Sequence, residues 1–308
     1  PNRSGPPPPD PGVQGGAGRS SRELFVQNDI IFDDTWELLL GVRWQDDSDF
    51  GSHLAPKASL KARLLDTPDW RGVLRASYGQ GYRVPNLKER HFLFDHSSLG
   101  YIVIGDPDLE PESSDSYQFG ATLSLRDTLS LDLNLFCNRV KDLIEVDEDK
   151  GVPLNGITAY TYENVGRART RGMETAIKWQ ATPTLGLSAA YTLTDTEDLD
   201  TGSELTRRPR DMARLGLDWR VMQSTLLSMR ARYQSDELVS TATGGRSPSW
   251  STLDIALNQN IGRDWVAFVG INNVFDRQRD FTDPNDFGPI AGRFVYLGVS
   301  YAFGTAPR

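Results

Sequence analysis

The sequence predicts an all-β protein, an antiparallel transmembrane β-barrel of which this chain supplies a part. Apolar and polar residues alternate with period two from about residue 21 to residue 303, which gives a sheet one apolar and one polar face. The alternating segments are longer than the ~5–6 residues of most soluble strands and long enough for the ~9–11 residues that cross a membrane at a tilt. Aromatic residues gather near the segment ends, as in the girdles at the two interfaces of a membrane barrel.

The alternation places about thirteen strands along the chain. In the last of them, Val295, Leu297 and Val299 alternate with smaller or more polar residues. Such segments recur without a comparable helical period, so each is assigned to a strand. The predicted strands cover residues 23–32, 36–46, 55–66, 70–80, 114–126, 128–142, 158–182, 184–195, 210–221, 224–235, 250–261, 264–275 and 291–303.

Short and long connections alternate between these strands. Membrane barrels have this pattern, with short periplasmic turns and long extracellular loops. The short connections are residues 33–35, 67–69, 127, 183, 222–223 and 262–263, and the long ones are 47–54, 81–113, 143–157, 196–209, 236–249 and 276–290.

The alternation also assigns side chains to the two faces of the sheet. Cys137 falls in register with Leu131, Leu133 and Leu135, so it is expected to face lipid. Aromatic residues near strand ends are Trp36, Trp44, Trp70, Trp179, Tyr191, Trp219, Tyr233, Trp250, Trp265 and Tyr301. The residues expected to face the lumen are Asp132, Asn134, Glu174, Lys178, Arg214, Asp218, Arg230, Arg232, Asp254 and Asn258.

Composition excludes several classes of protein. Lys plus Arg is 33 against 42 for Asp plus Glu, and the net charge of −9 argues against a nucleic-acid binder. No segment approaches the ~20 apolar residues of a membrane-spanning helix. The single cysteine excludes an internal disulfide and a multi-cysteine metal site. The three histidines form no recognisable catalytic motif, so we expect no enzyme activity and no cofactor.

Three regions follow from the texture of the chain. Residues 1–20 are rich in Pro and Gly and are expected to be a disordered or loop segment, residues 21–303 form the barrel portion, and residues 304–308 are a C-terminal tail. The chain starts at Pro1 without a Met or a signal-peptide pattern, so we expect it to be an internal piece of a longer protein.

Three groups of motifs carry a resemblance to a known family. Together, and in this order, they resemble the C-terminal barrel portion of TonB-dependent outer-membrane receptors, the siderophore and haem receptor family, over about residues 21–303. The motifs are Gly79–Glu89 paired with Gly105–Glu112, then Glu163–Glu174, and then Asn272–Asp276 with Ala291–Arg293.

The resemblance implies a barrel of about twenty-two strands with a plug in its lumen, of which this chain would supply about thirteen strands and no plug. It implies a Gram-negative outer membrane, contacts with its lipid and lipopolysaccharide, and a monomer. It also implies coupling to the TonB complex through an N-terminal region missing from this chain. The expected function is TonB-dependent uptake of an iron–siderophore complex, with no bond chemistry by the barrel.

The predicted ligand-binding loop is residues 81–113, between the first two boxes. Cationic and aromatic side chains suit an anionic ferric catecholate. If the ligand is instead haem or haemoglobin, His91 or His96 would ligate its iron, since imidazole is a good iron ligand; otherwise no metal ligands are expected. The candidate residues are Tyr82, Arg83, Lys88, Arg90, His91, Phe92, His96 and Tyr101.

Other readings stay open on sequence alone. The family also includes cobalamin receptors, and a passive porin-like barrel or a soluble all-β binding module would share the alternation. The acidic runs Asp142–Asp149 and Asp195–Asp200 are expected to be solvated loop tips, with calcium binding or bridging to lipopolysaccharide as the alternative.

Overall fold

In the described part of the chain, thirteen long strands pair antiparallel in one sheet, and each lies beside the next long strand in sequence. A computed structural model describes residues 18–146 and 150–303. The long strands are β1 (Ser21–Ile31), β2 (Trp36–Asp47), β3 (Gly51–Asp66), β4 (Trp70–Arg83), β7 (Glu112–Leu125), β8 (Leu129–Val146), β10 (Ile157–Thr182), β11 (Leu185–Asp198), β12 (Asp211–Met222), β13 (Thr225–Gln234), β16 (Trp250–Ile261), β17 (Trp265–Asn272) and β18 (Phe294–Tyr301).

Short elements lie inside the long connections. One helix, α1 (Leu87–His91), and a 3-10 turn (Ser97–Leu99) lie between β4 and β7. Strand β6 pairs with β5 and runs parallel to the start of β10, which ties this connection to the sheet wall. The short strands are β5 (Leu93–His96), β6 (Tyr101–Ile104), β9 (Val152–Leu154), β14 (Glu237–Leu238) and β15 (Arg246–Ser247).

The structure confirms the all-β antiparallel prediction, and each predicted strand has its counterpart in order. The segment predicted as 158–182 is one strand, β10, of 26 residues. At ~3.3 Å per residue it is roughly 85 Å long, far more than a tilted strand needs to cross ~30 Å of hydrocarbon. The sheet wall therefore extends well beyond a membrane at its long-loop end.

The prediction of a long loop at residues 47–54 is wrong. Strand β2 continues to Asp47 and β3 begins at Gly51, so the connection is a tight turn at residues 48–50. Polar residues such as Asp46 and Ser52 break the alternation there, but a wall that projects into water can be polar on both faces. Gly51 has φ +72°, a left-handed conformation that favours glycine.

Strand pairing separates a polar inner face from an apolar outer face. Lys178 pairs with Ser188 and Arg230 pairs with Asp254, which places them on the inner face together with all the predicted lumen residues. On the other face Cys137 lies opposite Tyr117, in line with Leu135 and Phe119, as expected for a residue facing lipid.

Ion pairs between neighbouring strands neutralise much of the inner-face charge. Arg230 contacts Asp218 at 2.7 Å, Lys61 contacts Glu37 at 2.6 Å, and Arg232 contacts Asp254 at 3.7 Å. A cavity of about 580 Å³ opens on this face. The inner wall is therefore hydrophilic, and several of its cationic residues pair with carboxylates of the same sheet.

The sheet is open along both edges. In the part of the chain that the structure describes, β1 pairs with β2 alone and β18 with β17 alone. A sheet in lipid must satisfy every backbone polar group, so both edges need further strands in a membrane. No helix in residues 18–146 or 150–303 is long and apolar enough to span a membrane. The predicted segment 1–20, except its last three residues, and the tail 304–308 lie outside the described residues.

Candidate ligand-binding loops at the rim of the sheet

The long connections emerge from one end of the sheet, which we call the rim. The connection between β4 and β7 contains six of the eight predicted ligand-binding residues, and Tyr82 and Arg83 end β4 just before it. The connections after β11, β13 and β17 and the described part of the one after β8 also lie at the rim. Their packing determines which side chains can meet a ligand.

A capping box fixes helix α1 in the first rim connection. Asn86 Oδ1 accepts hydrogen bonds from the backbone N–H groups of Lys88 at 2.9 Å and Glu89 at 3.0 Å. Glu89 Oε2 accepts in return from the backbone N–H of Asn86 at 2.7 Å. The Asn-x-x-Glu spacing is a recognised helix-start signal, so the sequence contained the information for this helix.

Arg83 joins both ends of this connection. Its Nε and Nη2 donate to Glu112 at 2.7 and 3.0 Å, and Nη1 donates to both oxygens of Glu89 at 2.8 and 3.0 Å. One guanidinium therefore holds the end of β4, the start of β7 and helix α1 together. The two sequence boxes are bound to each other through this residue.

Arg90 braces the same connection against the β2–β3 turn. Its Nη1 donates to Asp49 at 2.5 Å, its Nε and Nη2 donate to the carbonyl of Pro107 at 3.2 and 3.1 Å, and it lies 5.0 Å from the Phe50 ring centre. Hydrogen bonds from Ser48 and then Arg90 lower the pKa of Asp49 below its ordinary value. The Asp49 carboxylate is therefore charged at neutral pH, where it pairs with Arg90.

Lys88 and His91 keep their polar groups available. Neither side chain makes a hydrogen bond or an ion pair with a residue of the described ranges, and Lys88 is exposed. Phe92 follows α1, with its ring 6.3 Å from that of Phe94. These three predicted residues can reorient toward a ligand without breaking a polar contact.

An aromatic cluster surrounds His96. Its ring stacks on Phe94 at 4.2 Å, and its Nδ1 lies 3.2 Å from the hydroxyl of Tyr101. Tyr101 in turn lies 6.3 Å from Tyr160, which the parallel pairing of β6 with β10 brings to the site. Tyr160 was not among the predicted residues, because it lies far away in sequence and no motif marks it.

Tyr82 lies apart from this cluster. Its ring stacks on His53 at 3.9 Å with an interplanar angle of 10°. The structure thus places the eight predicted residues in three settings: Arg83 and Arg90 in braces, Tyr82 on His53, and the others around α1 and β6. No group of three His, Cys, Asp or Glu side chains in the described ranges could hold a metal ion.

A second cluster lies where three other rim connections meet. The Arg207 and Arg279 guanidinium carbons lie 4.6 and 4.5 Å from the ring centre of Phe287. Arg279 also lies 5.5 Å from the ring centre of Phe281. The backbone N–H of Phe287 donates to Ser247 Oγ at 2.9 Å. Sequence reasoning missed this cluster, since its residues come from three connections without a shared motif.

Ion pairs link these rim connections to one another, and one carboxylate among them is buried. Arg246 contacts Glu204 at 2.9 Å and Asp236 at 2.5 Å, so it links the connections after β11 and β13. Arg208 contacts Glu145 at 3.3 Å at the end of β8. Glu237 is 7% exposed, and burial raises its pKa above the ordinary value. The described acidic runs thus contribute to rim packing, while residues 147–149 of the first run lie outside the described residues.

Comparison of the sequence with known families matches residues 1–274 to the family described as "TonB dependent receptor-like, beta-barrel". An iron-regulated outer membrane virulence protein of Vibrio cholerae serotype O1 is 25% identical over 298 residues. The match covers 91% of this chain and 44% of that protein. The chain therefore spans less than half the length of this relative.

Solved structures show the same fold. A variant of the ferric enterobactin receptor from Pseudomonas aeruginosa superposes with TM-score 0.71 at 20% identity, covering 92% of this chain and 45% of the receptor. The siderophore receptor PirA from Acinetobacter baumannii gives 0.72 at 19% identity, covering 94% and 47%. The copper transporter OprC gives 0.74 at 16%, covering 92% and 48%. At these identities the likeness shows the fold alone.

Proposed function

Because the chain belongs to the TonB-dependent receptor-like β-barrel family, we propose that it supplies part of an outer-membrane receptor for an iron–siderophore complex of the catecholate type. The family consists of outer-membrane receptors and transporters of Gram-negative bacteria, not of enzymes. The chain spans about half the length of its relatives, so uptake is proposed for the complete protein.

The observation that carries the proposal is the braced connection between β4 and β7 at the rim. Arg83 and Arg90 fix its backbone, while Lys88 and the aromatic cluster of Phe92, His96 and Tyr101 remain available. A ferric catecholate is anionic and aromatic, and it suits a cation next to aromatic rings. We propose Lys88, Phe92, His96 and Tyr101 as direct contacts.

The other predicted residues have supporting parts in the proposal. Arg83 and Arg90 hold the β4–β7 connection in position. They also contribute positive charge, although their guanidinium groups already bind carboxylates. Tyr82 on His53 forms an aromatic wall beside them. His91 is a further contact within reach of a bound chelate.

We propose energised import for the complete receptor. The TonB complex would act through a region outside this chain, and the receptor would work as a monomer. The apolar outer face would contact outer-membrane lipid, and the rim would contact lipopolysaccharide.

Uptake of radioactive iron tests this function. Cells that lack other ferric catecholate receptors would express the complete reading frame and receive the iron as a ferric catecholate. We expect uptake that stops when the proton gradient is collapsed or TonB is removed. Uptake that continues after either treatment would instead indicate a passive porin-like barrel, and absence of uptake would remove the catecholate assignment.

Haem is a second candidate because of the setting of two histidines. The hydrogen bond between His96 Nδ1 and Tyr101 orients the ring and leaves Nε2 for iron. His91 has no polar partner among the described residues. A haem titration of the complete receptor would show a sharp Soret shift that the double variant His91→Ala, His96→Ala loses. A wild-type protein without that shift would exclude haem ligation.

A further inference from the structure

We propose that Arg279, which lies against the rings of Phe281 and Phe287, is a second ligand contact that binds the negatively charged oxygens of the iron chelate and selects anionic over uncharged ligands. This inference rests on the proposed function, because it assumes that the rim receives an iron chelate. It adds a residue from the β17–β18 connection, which the predicted site does not include.

The guanidinium group of Arg279 has no polar partner among the described residues. Its Nε is buried and makes no hydrogen bond. Across residues 18–146 and 150–303, no ion pair or hydrogen bond engages its guanidinium, whose central carbon lies 5.5 Å from the ring centre of Phe281 and 4.5 Å from that of Phe287. A buried donor without a partner is unfavourable, because nothing replaces the hydrogen bond that it made to water. An incoming acceptor would relieve that cost, so the guanidinium is prepared for an anion.

The setting of Arg279 is fixed and reachable. Its backbone N–H donates to the carbonyl of Pro289 at 2.8 Å, which closes the loop behind it. Phe287 is held by Ser247 from the neighbouring connection. Phe281 is 70% exposed and Arg279 is half-buried, so this cluster borders solvent.

A second cation reinforces the positive potential. Arg207 lies against the same Phe287 ring as Arg279, so two cations border this ring. Neither of the two carboxylates that border this cluster pairs with Arg279. Asp286 accepts from Arg277 and from two backbone N–H groups, and Glu237 faces Arg207 and Arg208.

The geometry favours a planar, charged acceptor. A guanidinium with rings against it presents its edge, where parallel N–H groups match two neighbouring oxygens. Adjacent deprotonated oxygens occur in a catecholate. An uncharged ferric hydroxamate lacks the negative charge that Arg279 would attract. The site should therefore bind a ferric catecholate more tightly than a ferric hydroxamate.

Equilibrium binding tests the inference. The complete receptor in detergent would be titrated with a ferric tricatecholate and with an uncharged ferric trihydroxamate, following quenching of tryptophan fluorescence. Arg279→Gln should weaken catecholate binding roughly tenfold, the factor that ~1.4 kcal/mol gives, and Arg279→Lys should lose less. Arg263→Gln is the matched control, since Arg263 lies in a turn at the opposite end of the sheet.

The outcomes separate this inference from the proposed function. Catecholate affinity unchanged in Arg279→Gln would overturn the inference and leave the proposed function standing. Equal loss of both ligands would also overturn it, because it would indicate a structural role for Arg279. A wild-type receptor that binds neither ligand would contradict the proposed function itself.

Discussion

Asp286 shows how single residues organise the rim. It is 1% exposed and accepts hydrogen bonds from the backbone N–H groups of Asp280 at 2.8 Å and Gly288 at 2.7 Å. Burial alone would raise the pKa of this carboxyl, but these hydrogen bonds and the Arg277 charge outweigh it and hold the pKa below its ordinary value. The charged form of Asp286 therefore stabilises the fold of residues 273–293.

The lowered pKa of Asp286 predicts acid sensitivity. A depressed folded-state pKa contributes stability above the ordinary value near ~4, and that stability is lost as the pH falls through the folded pKa. We expect hydrogen-exchange protection of residues 273–293, corrected for intrinsic rates, to fall below about pH 4. Asp286→Asn should lower the protection at neutral pH and remove most of this pH dependence. A loop with equal protection at pH 6 and pH 3 would contradict the assignment.

Residue types in the site were more predictable than their partners. Composition pointed to Arg83 and Arg90, but their acceptors Glu112 and Asp49 lie 29 and 41 residues away in sequence. Pairing across such distances depends on which strands are neighbours, and local pattern does not carry that information. Arg279 was missed for a different reason: Phe281 and Phe287 lie in its own connection, but no motif marks these three residues.

At the scale of elements, helix α1 depends on its cap. Asn86→Ala removes the acceptor for two backbone N–H groups, so we expect a local cost of about 1 kcal/mol and faster hydrogen exchange over residues 86–92. Asn86→Ser keeps a capping oxygen and is the control. Equal exchange in the two variants would show that the cap does not hold this helix.

Gly172 in β10 is required by close packing of the wall. A Cβ there would collide with the backbone carbonyl of Leu193 and with the Phe136 ring, whereas a Cβ at Gly41 would meet neighbours at ordinary distances of 3.6 Å or more. We expect Gly172→Ala to destabilise the barrel by ~1–3 kcal/mol and Gly41→Ala to have little effect. Urea unfolding of the complete receptor in detergent measures both. A larger loss for Gly41→Ala would contradict the packing.

Strand positions and faces were predictable from the sequence, because the side chains that meet lipid alternate with those that do not. The alternation fails where the wall leaves the membrane, which is why the turn at residues 48–50 was missed. It also fails where a side chain redirects the backbone. Asn273, with φ +51°, accepts from the backbone N–H of Arg277 at 3.0 Å and ends the strand predicted to run to residue 275.

At the scale of the whole molecule, the two faces of the sheet face different solvents. Ala189 lies on the outer face opposite Leu215, and Ala176 lies on the inner face opposite Asp132. We expect Ala189→Arg to cost up to ~2–4 kcal/mol at the bilayer midplane and to reduce assembly in the outer membrane. Ala176→Arg, its matched control beside a carboxylate, should assemble normally. Equal assembly of the two variants would contradict the assignment of faces.

The open edges of the sheet determine whether it can be stable in lipid by itself. Strands β1 and β18 each leave one row of backbone groups without a partner in the described sheet. Because such edges are not stable in lipid, a functional barrel needs strands beyond this sheet. The proposed ligand capture would accordingly belong to the complete protein.

We propose that the rim binds an anionic iron chelate. The decisive measurement is equilibrium binding of a ferric catecholate to the purified complete receptor. We predict saturable quenching of tryptophan fluorescence, which weakens with added salt because the rim cations attract a charged ligand. The same titration with Lys88→Gln should show reduced affinity. A wild-type receptor that shows no saturable binding of the ferric catecholate would contradict the account.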